Sequence, residues 1–153
     1  MNNDKVVPIR RPEIIAEIGG VVDESGVTLC VYGEDLDPKT VTRLLGVKPT
    51  SSFRRGYRRK PNARPMPHGA WFLEVRGKAP KGPDAHLRKL LMKLPDSAES
   101  WNQLKTQYKI RLTFSVGFAG WNKGFNLPAD LVSRAARIGV DLGFDIYADD
   151  AIT

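Results

Sequence analysis

The residues of this sequence best suited to chemistry lie in one short segment, residues 54–64, which we call the basic loop. Between Pro38 and Leu73 the chain has nine Lys or Arg residues and no Asp or Glu, and six of the nine fall in this segment. Clustered cations create a field that attracts an anionic partner, and an aromatic ring among them can stack on nucleic-acid bases. The candidate partner-binding residues of the basic loop are Arg54, Arg55, Tyr57, Arg58, Arg59, Lys60 and Arg64.

The basic loop also has an interpretation that needs no partner. Such a loop can simply be solvated, or it can fold back on acidic residues elsewhere in the chain. This interpretation is favoured over nucleic-acid binding, because basic loops are common and no known nucleic-acid-binding motif accompanies this one. The acidic residues available for it are Glu34, Asp35, Asp145, Asp149 and Asp150.

A second candidate segment is the glycine-flanked stretch 121–125. Trp121, Lys123 and Phe125 have the composition of a binding hot spot if they are exposed. The alternative, equally favoured, is a loop packed over the core. By contrast, Trp71 and Trp101 lie on patterned elements and are predicted to be core residues.

Catalytic chemistry has the weakest support. His68 and His86 are the only histidines and Cys30 is the only cysteine, too few for a recognisable zinc site. Asp37 is better explained as a helix cap than as a catalytic carboxylate. A nucleophile elbow, a phosphate loop and a dinucleotide fingerprint are all absent from the sequence. We therefore predict no catalytic residue, no metal and no cofactor, and a buried thiol at Cys30.

The basic loop is positioned by a predicted strand, helix and strand. Residues 27–32 are rich in β-branched and apolar residues, and residues 70–76 form a second apolar strand. Between them, Asp37 is suited to cap a helix, Pro38 to begin it and Gly46 to end it.

The second half of the chain repeats this order after a helical region. Leucines spaced i, i+3, i+4 and i+7 predict a helix from Pro83, and Pro95 separates it from a second helical piece capped by Ser97. Period-two alternation predicts strands over 110–118 and 140–147, with a helix beginning near Pro128 between them. The leucines of the stripe are Leu87, Leu90, Leu91 and Leu94.

Two strand-helix-strand units, residues 27–76 and 110–147, predict an α+β fold. The simplest arrangement is a four-stranded sheet with helices packed on one face, a ferredoxin-like or related sandwich. Residues 27–150 are predicted to form a single domain and residues 1–26 an N-terminal extension, in which 12–18 is a short helix or an edge strand.

The length and net charge of the chain limit the size and the location that can be expected. A chain of 153 residues with net charge +7 has the size of one basic globular domain. It has no apolar stretch resembling a signal peptide or a membrane span, so the expectation is a cytoplasmic protein, monomeric or weakly dimeric, that does not act at a membrane.

Several segments together resemble a bacterial family, number 4279 among the domains of unknown function. The resemblance extends over residues 27–147 and implies a small stand-alone bacterial protein of a single domain, with no established activity. The segments that carry it are Gly33 to Pro38, Thr42 to Thr50, Arg55-Gly56, Trp71 and Phe144 to Tyr147.

The sequence thus favours a non-enzymatic binding module. The preferred hypothesis is capture of an acidic protein through the basic loop and segment 121–125, as an immunity or antitoxin-like inhibitor would do. The alternative is binding of nucleic acid or a phosphate ligand through the basic loop. The third hypothesis, with the least support, is an enzyme that uses His68 and acidic side chains as its catalytic residues.

Overall fold

The computed structural model describes residues 20–149, and the structural statements below concern that part of the chain. The predicted helix or edge strand at 12–18 lies outside it. In chain order the elements are β1 Glu24–Gly33, α1 Pro38–Leu45, β2 Ser51–Phe53, β3 Gly69–Lys78, α2 Pro83–Met92, α3 Ala98–Gln107, β4 Lys109–Ala119, α4 Ala129–Ile138 and β5 Asp141–Asp149.

The strands form one open mixed sheet in the order β2-β3-β1-β4-β5. Neighbouring strands are antiparallel except β4 and β5, which are parallel. The described chain therefore has an α+β fold with five strands and four helices, where the sequence predicted four strands. The fifth strand is β2, whose three residues, two of them serine, are too few to show a period-two pattern. The ferredoxin-like arrangement is not confirmed, because two helices separate β3 from β4 and a parallel pair ends the sheet.

The alternation along each strand divides the sheet into two faces. Val27, Leu29 and Val31 of β1 are at most 1% exposed and belong to one core cluster with side chains of all four helices. Trp71 and Trp101 are buried in this cluster, as predicted. No helix of residues 20–149 packs on the opposite face, which we call the open face. The core therefore lies between the helices and one side of the sheet.

Local sequence signals account for the helix that follows β1. The Asp37 carboxylate accepts a hydrogen bond from the backbone N–H of Lys39 at 3.1 Å, and Pro38 occupies the first turn. Gly46 ends α1 with a φ of 68°, a left-handed conformation that glycine adopts without steric cost. This helix holds the chain so that Asp37 faces the basic loop.

The chain enters the core earlier than the sequence indicated. β1 begins at Glu24, three residues before the predicted strand, and Val22 is already buried. Val21 forms an isolated parallel bridge with Gly124. Residues 20–26 thus pack with the rest of the described chain.

Candidate ligand-binding face of the sheet

The basic loop is folded on itself by backbone hydrogen bonds. The N–H of Gly56 donates to the carbonyl of Met66, and the N–H of Met66 donates to the carbonyl of Tyr57, both at 2.8 Å. Gly56 has a φ of 87°, which favours glycine at this turn. The loop leads back to Gly69 at the start of β3, which pairs with Gly33 at the end of β1.

Two arginines of the loop are paired with acidic residues, of which Glu34 and Asp35 were among those expected and Asp37 was expected only as a helix cap. The Arg54 guanidinium lies 2.7 Å from the Asp37 carboxylate. Arg55 bridges Glu34 at 2.9 Å and Asp35 at 3.1 Å. These exposed pairs join the loop to the segment between β1 and α1, and they reduce the charge that Arg54 and Arg55 offer to a partner.

The other four cations of the loop remain available. Arg58 donates to the carbonyl of Ala63 at 2.6 Å, a contact that fixes its position without neutralising its charge. Within residues 20–149 none of the four forms an ion pair, and all four side chains are exposed. These residues, which we call the free loop cations, are Arg58, Arg59, Lys60 and Arg64.

A row of aromatic rings continues from the basic loop across the open face. Tyr57 stacks on Phe53 with centroids 5.5 Å apart, and Phe53 lies 6.1 Å from Phe72. Phe72 contacts Tyr32 edge to face at 5.6 Å, and Tyr32 contacts His68 in the same manner at 5.7 Å. The row therefore connects loop, β2, β3 and β1 without a break. We call these five residues the ring row.

Two cations of β4 flank the end of the ring row. In the antiparallel register Lys109 lies opposite Tyr32, and Arg111 lies opposite Cys30. Burial raises the pKa of Tyr32 to about 12, with Cys30 adding to the effect and Arg111 opposing it. The Tyr32 phenol thus stays protonated at neutral pH and can donate a hydrogen bond.

The carboxylates of the open face differ in their distance from the ring row. Glu74 lies 3.5 Å from the Arg76 guanidinium. Asp145 lies on β5 at the edge of the sheet, whereas Asp141, the β5 residue opposite Arg111, lines a pocket together with Tyr32 and Lys109. No three His, Cys, Asp or Glu side chains of the described residues converge as metal ligands. The face therefore offers rings and cations at one end, with one carboxylate of β5 beside Arg111.

A pocket of about 670 Å³ opens at the end of the ring row. We call it the terminal pocket. Tyr32 and His68 form one side, and the last turn of α3 and the start of β4 form the other. Tyr108 lies against Gly33 so closely that a Cβ added at Gly33 would come within 2.5 Å of its ring. The lining residues are Tyr32, Gly33, Glu34, His68, Lys105, Thr106, Gln107, Tyr108 and Lys109.

The second predicted segment lies at the opposite end of the sheet. It follows β4, whose Gly117 pairs with Glu24, whereas the basic loop adjoins Gly33. The ends of β1 are nine residues, or about 30 Å, apart. The structure therefore does not bring the two predicted binding segments together.

Within segment 121–125 the side chains differ in environment. Trp121 is 86% exposed. Lys123 lies 3.7 Å from Asp23, and Phe125 is half-buried with its ring 6.2 Å from that of Phe144. Thus Trp121 projects from the surface, and Phe125 anchors the segment to β5.

The remaining candidates of the catalytic hypothesis are dispersed. His86 lies on the buried face of α2 with 4% exposure, and His68 belongs to the ring row. Cys30 is buried, as predicted, with its thiol 3.8 Å from the Thr113 hydroxyl. These groups form no nucleophile and base pair among the described residues.

Sequence reasoning missed most of the ring row and both flanking cations. In β1 Tyr32 lies on the face opposite Val31, and in β3 Phe72 lies on the face opposite Trp71. The strand register places Tyr32 beside Lys109 and near Phe72. Only this register shows that the rings and the cations lie on one surface. That register is a long-range property that local patterns do not contain.

Comparisons with known proteins identify a family and nothing more specific. Residues 23–149 match a family model described as a domain of unknown function, DUF4279, the family that the sequence resembled. Searches of curated proteins and of solved structures each gave no match. None of the described helices is long and apolar enough to cross a membrane.

Proposed function

The chain belongs to the DUF4279 family of domains of unknown function, and since membership assigns no activity, we propose from its open face that it is a binding module for single-stranded nucleic acid. The observation that carries this proposal is the ring row, which starts in the basic loop and crosses three strands. Proteins that bind single strands combine aromatic rings that stack on bases with cations that follow the backbone.

The positions of the cations support a strand lying along the ring row. The free loop cations lie at one end of the row, and Lys109 and Arg111 lie beside the other. If all six contact phosphates, the logarithm of affinity falls with the logarithm of salt concentration with a slope of about −4. Arg54 and Arg55 are left out of this sum because carboxylates already pair with them.

The proposal is tested with a labelled single-stranded RNA of mixed sequence, about 16 nucleotides long, in fluorescence anisotropy titrations of the full chain. A salt series from about 50 to 200 mM measures the slope. Tyr57→Ala should weaken binding at least fivefold, about 1 kcal/mol of stacking. Arg111→Gln should weaken binding and reduce the steepness of the salt dependence by the contribution of one phosphate contact.

The matched control is Lys89→Gln, which removes an exposed cation from α2 on the other side of the sheet. It should change neither affinity nor slope. A duplex of the same sequence is the second control, because paired bases cannot stack on the ring row. A duplex that binds as tightly as the single strand, or equal losses from Lys89→Gln and Arg111→Gln, would show a generic charge effect and refute the proposal.

A second candidate function, capture of a protein, is supported by a different surface. Trp121 is 86% exposed, and on β5 Ile146 and Phe144 are 62% and 44% exposed. Phe125 links the two segments through its ring contact with Phe144 at 6.2 Å. Exposed aromatic and aliphatic side chains of this kind form hot spots in protein interfaces. Under the acidic-protein hypothesis, a partner that contacts both this surface and the basic loop must extend about 30 Å along the sheet.

The second candidate is tested by immobilising the wild-type chain and the Trp121→Ala variant at physiological salt. A protein that binds through this surface should be retained stoichiometrically by the wild type and lost from the variant. Met92→Ala, which removes an apolar side chain that is 77% exposed on α2, is the control. Equal retention by all three chains counts against this function.

A further inference from the structure

The terminal pocket has aromatic walls of a kind suited to a planar ligand. Tyr32, His68 and Tyr108 contribute three rings, and the volume of about 670 Å³ lies in the range of small-ligand sites. Tyr32 is held edge to face against both His68 and Phe72. Its ring is thus fixed by neighbours before any ligand arrives, which lowers the entropic cost of binding.

The charge in the terminal pocket favours an anion. Lys109 is exposed and forms no ion pair within residues 20–149. Lys105 also lines the pocket, but its ammonium donates a hydrogen bond to the Ile138 carbonyl at the end of α4 at 2.8 Å. Glu34 is the single carboxylate of the lining, and Arg55 already pairs with it at 2.9 Å. Lys109 is therefore the cation of the lining that can meet an anion, and the one carboxylate is already paired.

The polar groups of the lining suit the edge of a nucleobase. The amide of Gln107 has both donors and acceptors, the pattern that a base presents. The Tyr32 phenol already forms hydrogen bonds with Cys30 and Arg111, so Tyr32 contributes its ring to the pocket. An inorganic anion would use the cations and leave the rings without a partner, and an apolar ligand would leave the cations unpaired and desolvated.

We propose that the terminal pocket binds a nucleoside monophosphate, with the base against the rings of Tyr32 and Tyr108 and the phosphate at Lys109. Two sources carry this chemistry, a free nucleotide and the phosphorylated end of a single strand. The second source rests on the proposed function, because the ring row leads to the pocket. The first source is independent of that function.

The test uses isothermal titration of the full chain with adenosine 5′-monophosphate, adenosine and inorganic phosphate as separate probes. The monophosphate should bind at least tenfold tighter than either fragment. Lys109→Gln should weaken the monophosphate at least fivefold and leave adenosine unchanged. Lys89→Gln is the matched control, and melting temperatures confirm that both variants fold.

The source of the ligand is decided with two single strands of one sequence, ending in a 5′-phosphate or a 5′-hydroxyl group. Tighter binding of the phosphorylated strand, lost in Lys109→Gln, identifies a strand end. If the two strands bind equally and the monophosphate binds tightly, the ligand of the pocket is a free nucleotide. Both outcomes support the pocket.

The proposal is overturned if the monophosphate binds no tighter than adenosine and phosphate, or if Lys109→Gln and Lys89→Gln behave alike. The experiments distinguish failure of the pocket proposal from failure of the nucleic-acid function. Binding of the 5′-hydroxyl strand without monophosphate binding removes only the pocket. Monophosphate binding without binding of either strand removes only the nucleic-acid function.

Discussion

The rings of Phe53 and Tyr57 lie nearly parallel, with centroids 5.5 Å apart and planes inclined by 18°. Phe53 belongs to β2, which pairs with β3, so this stack joins the basic loop to the edge of the sheet. Tyr57 is 49% exposed and can therefore also contact a ligand. The loop and the open face are consequently one continuous surface rather than two.

The first prediction separates the paired from the unpaired cations of the basic loop. The triple variant Arg59→Gln, Lys60→Gln, Arg64→Gln should lower affinity for the single strand and reduce the salt slope by about two, because three phosphate contacts are lost. The double variant Arg54→Gln, Arg55→Gln should have the smaller effect on affinity, because its cations already pair with carboxylates. Anisotropy titrations over a salt series measure both.

The melting temperatures of the same two variants provide the control for this prediction. Exposed ion pairs contribute about 0 to 1 kcal/mol each, so neither variant should unfold the chain. A larger loss of affinity in the double variant than in the triple variant would contradict the assignment of the free loop cations.

The second prediction concerns the leucine stripe of α2. Leu90 is 0% exposed, and Leu90→Ala should lower the free energy of unfolding by about 2 to 5 kcal/mol through lost burial and a cavity. Met92 on the same helix is 77% exposed, and Met92→Ala should change that energy by less than about 0.5 kcal/mol. Urea denaturation of both variants measures the difference, and similar values for the two would contradict the observed helix orientation.

The sequence predicted the helices and every strand except β2 because their signals are local. The leucine stripe fixed the buried face of α2, and Asp37 and Gly46 marked the ends of α1. The order of the strands was not predictable, since pairing β1 with β3 and β4 depends on contacts across dozens of residues.

The candidate site was predictable only in part, for a related reason. Charge density in the sequence located the basic loop, but the pairing of Arg55 with Glu34 depends on the end of β1 lying beside the loop. Lys109 and Tyr32 are 77 positions apart in the sequence and adjacent in the sheet. A composition pattern cannot contain such a pair.

The third prediction is a pH dependence of stability caused by His86. Burial lowers the pKa of His86 below its ordinary value of 6.5, with Lys81 and Lys89 adding to the effect and Asp84 opposing it. Below about pH 6.5 the unfolded chain binds a proton that the folded chain resists, so stability is complete above this pH and is lost as the pH falls.

The measurement is the melting temperature from about pH 7.5 to about pH 5.5 in the wild type and in His86→Gln. Carboxylates that titrate in acid affect both chains alike, so the difference between the two profiles isolates His86. The wild type should lose more stability than the variant over this interval. Parallel profiles would show that His86 takes up its proton equally in the folded and unfolded chains.

The last prediction concerns Gly69, where the basic loop ends and β3 begins. A Cβ at this position would lie 2.8 Å from the carbonyl oxygen of Leu36 and 3.2 Å from that of Phe53, and these backbone atoms cannot move aside as a flexible side chain would. Gly69→Ala should therefore lower the free energy of unfolding by about 1 to 3 kcal/mol. Gly124→Ala is the control, because among residues 20–149 no atom beyond its own chain neighbours lies within 4 Å of a Cβ built there. Because Phe53 carries the stack with Tyr57, Gly69→Ala should also weaken single-strand binding under conditions where the variant is fully folded. Unchanged stability and affinity would show that the junction between loop and sheet is not as close as described.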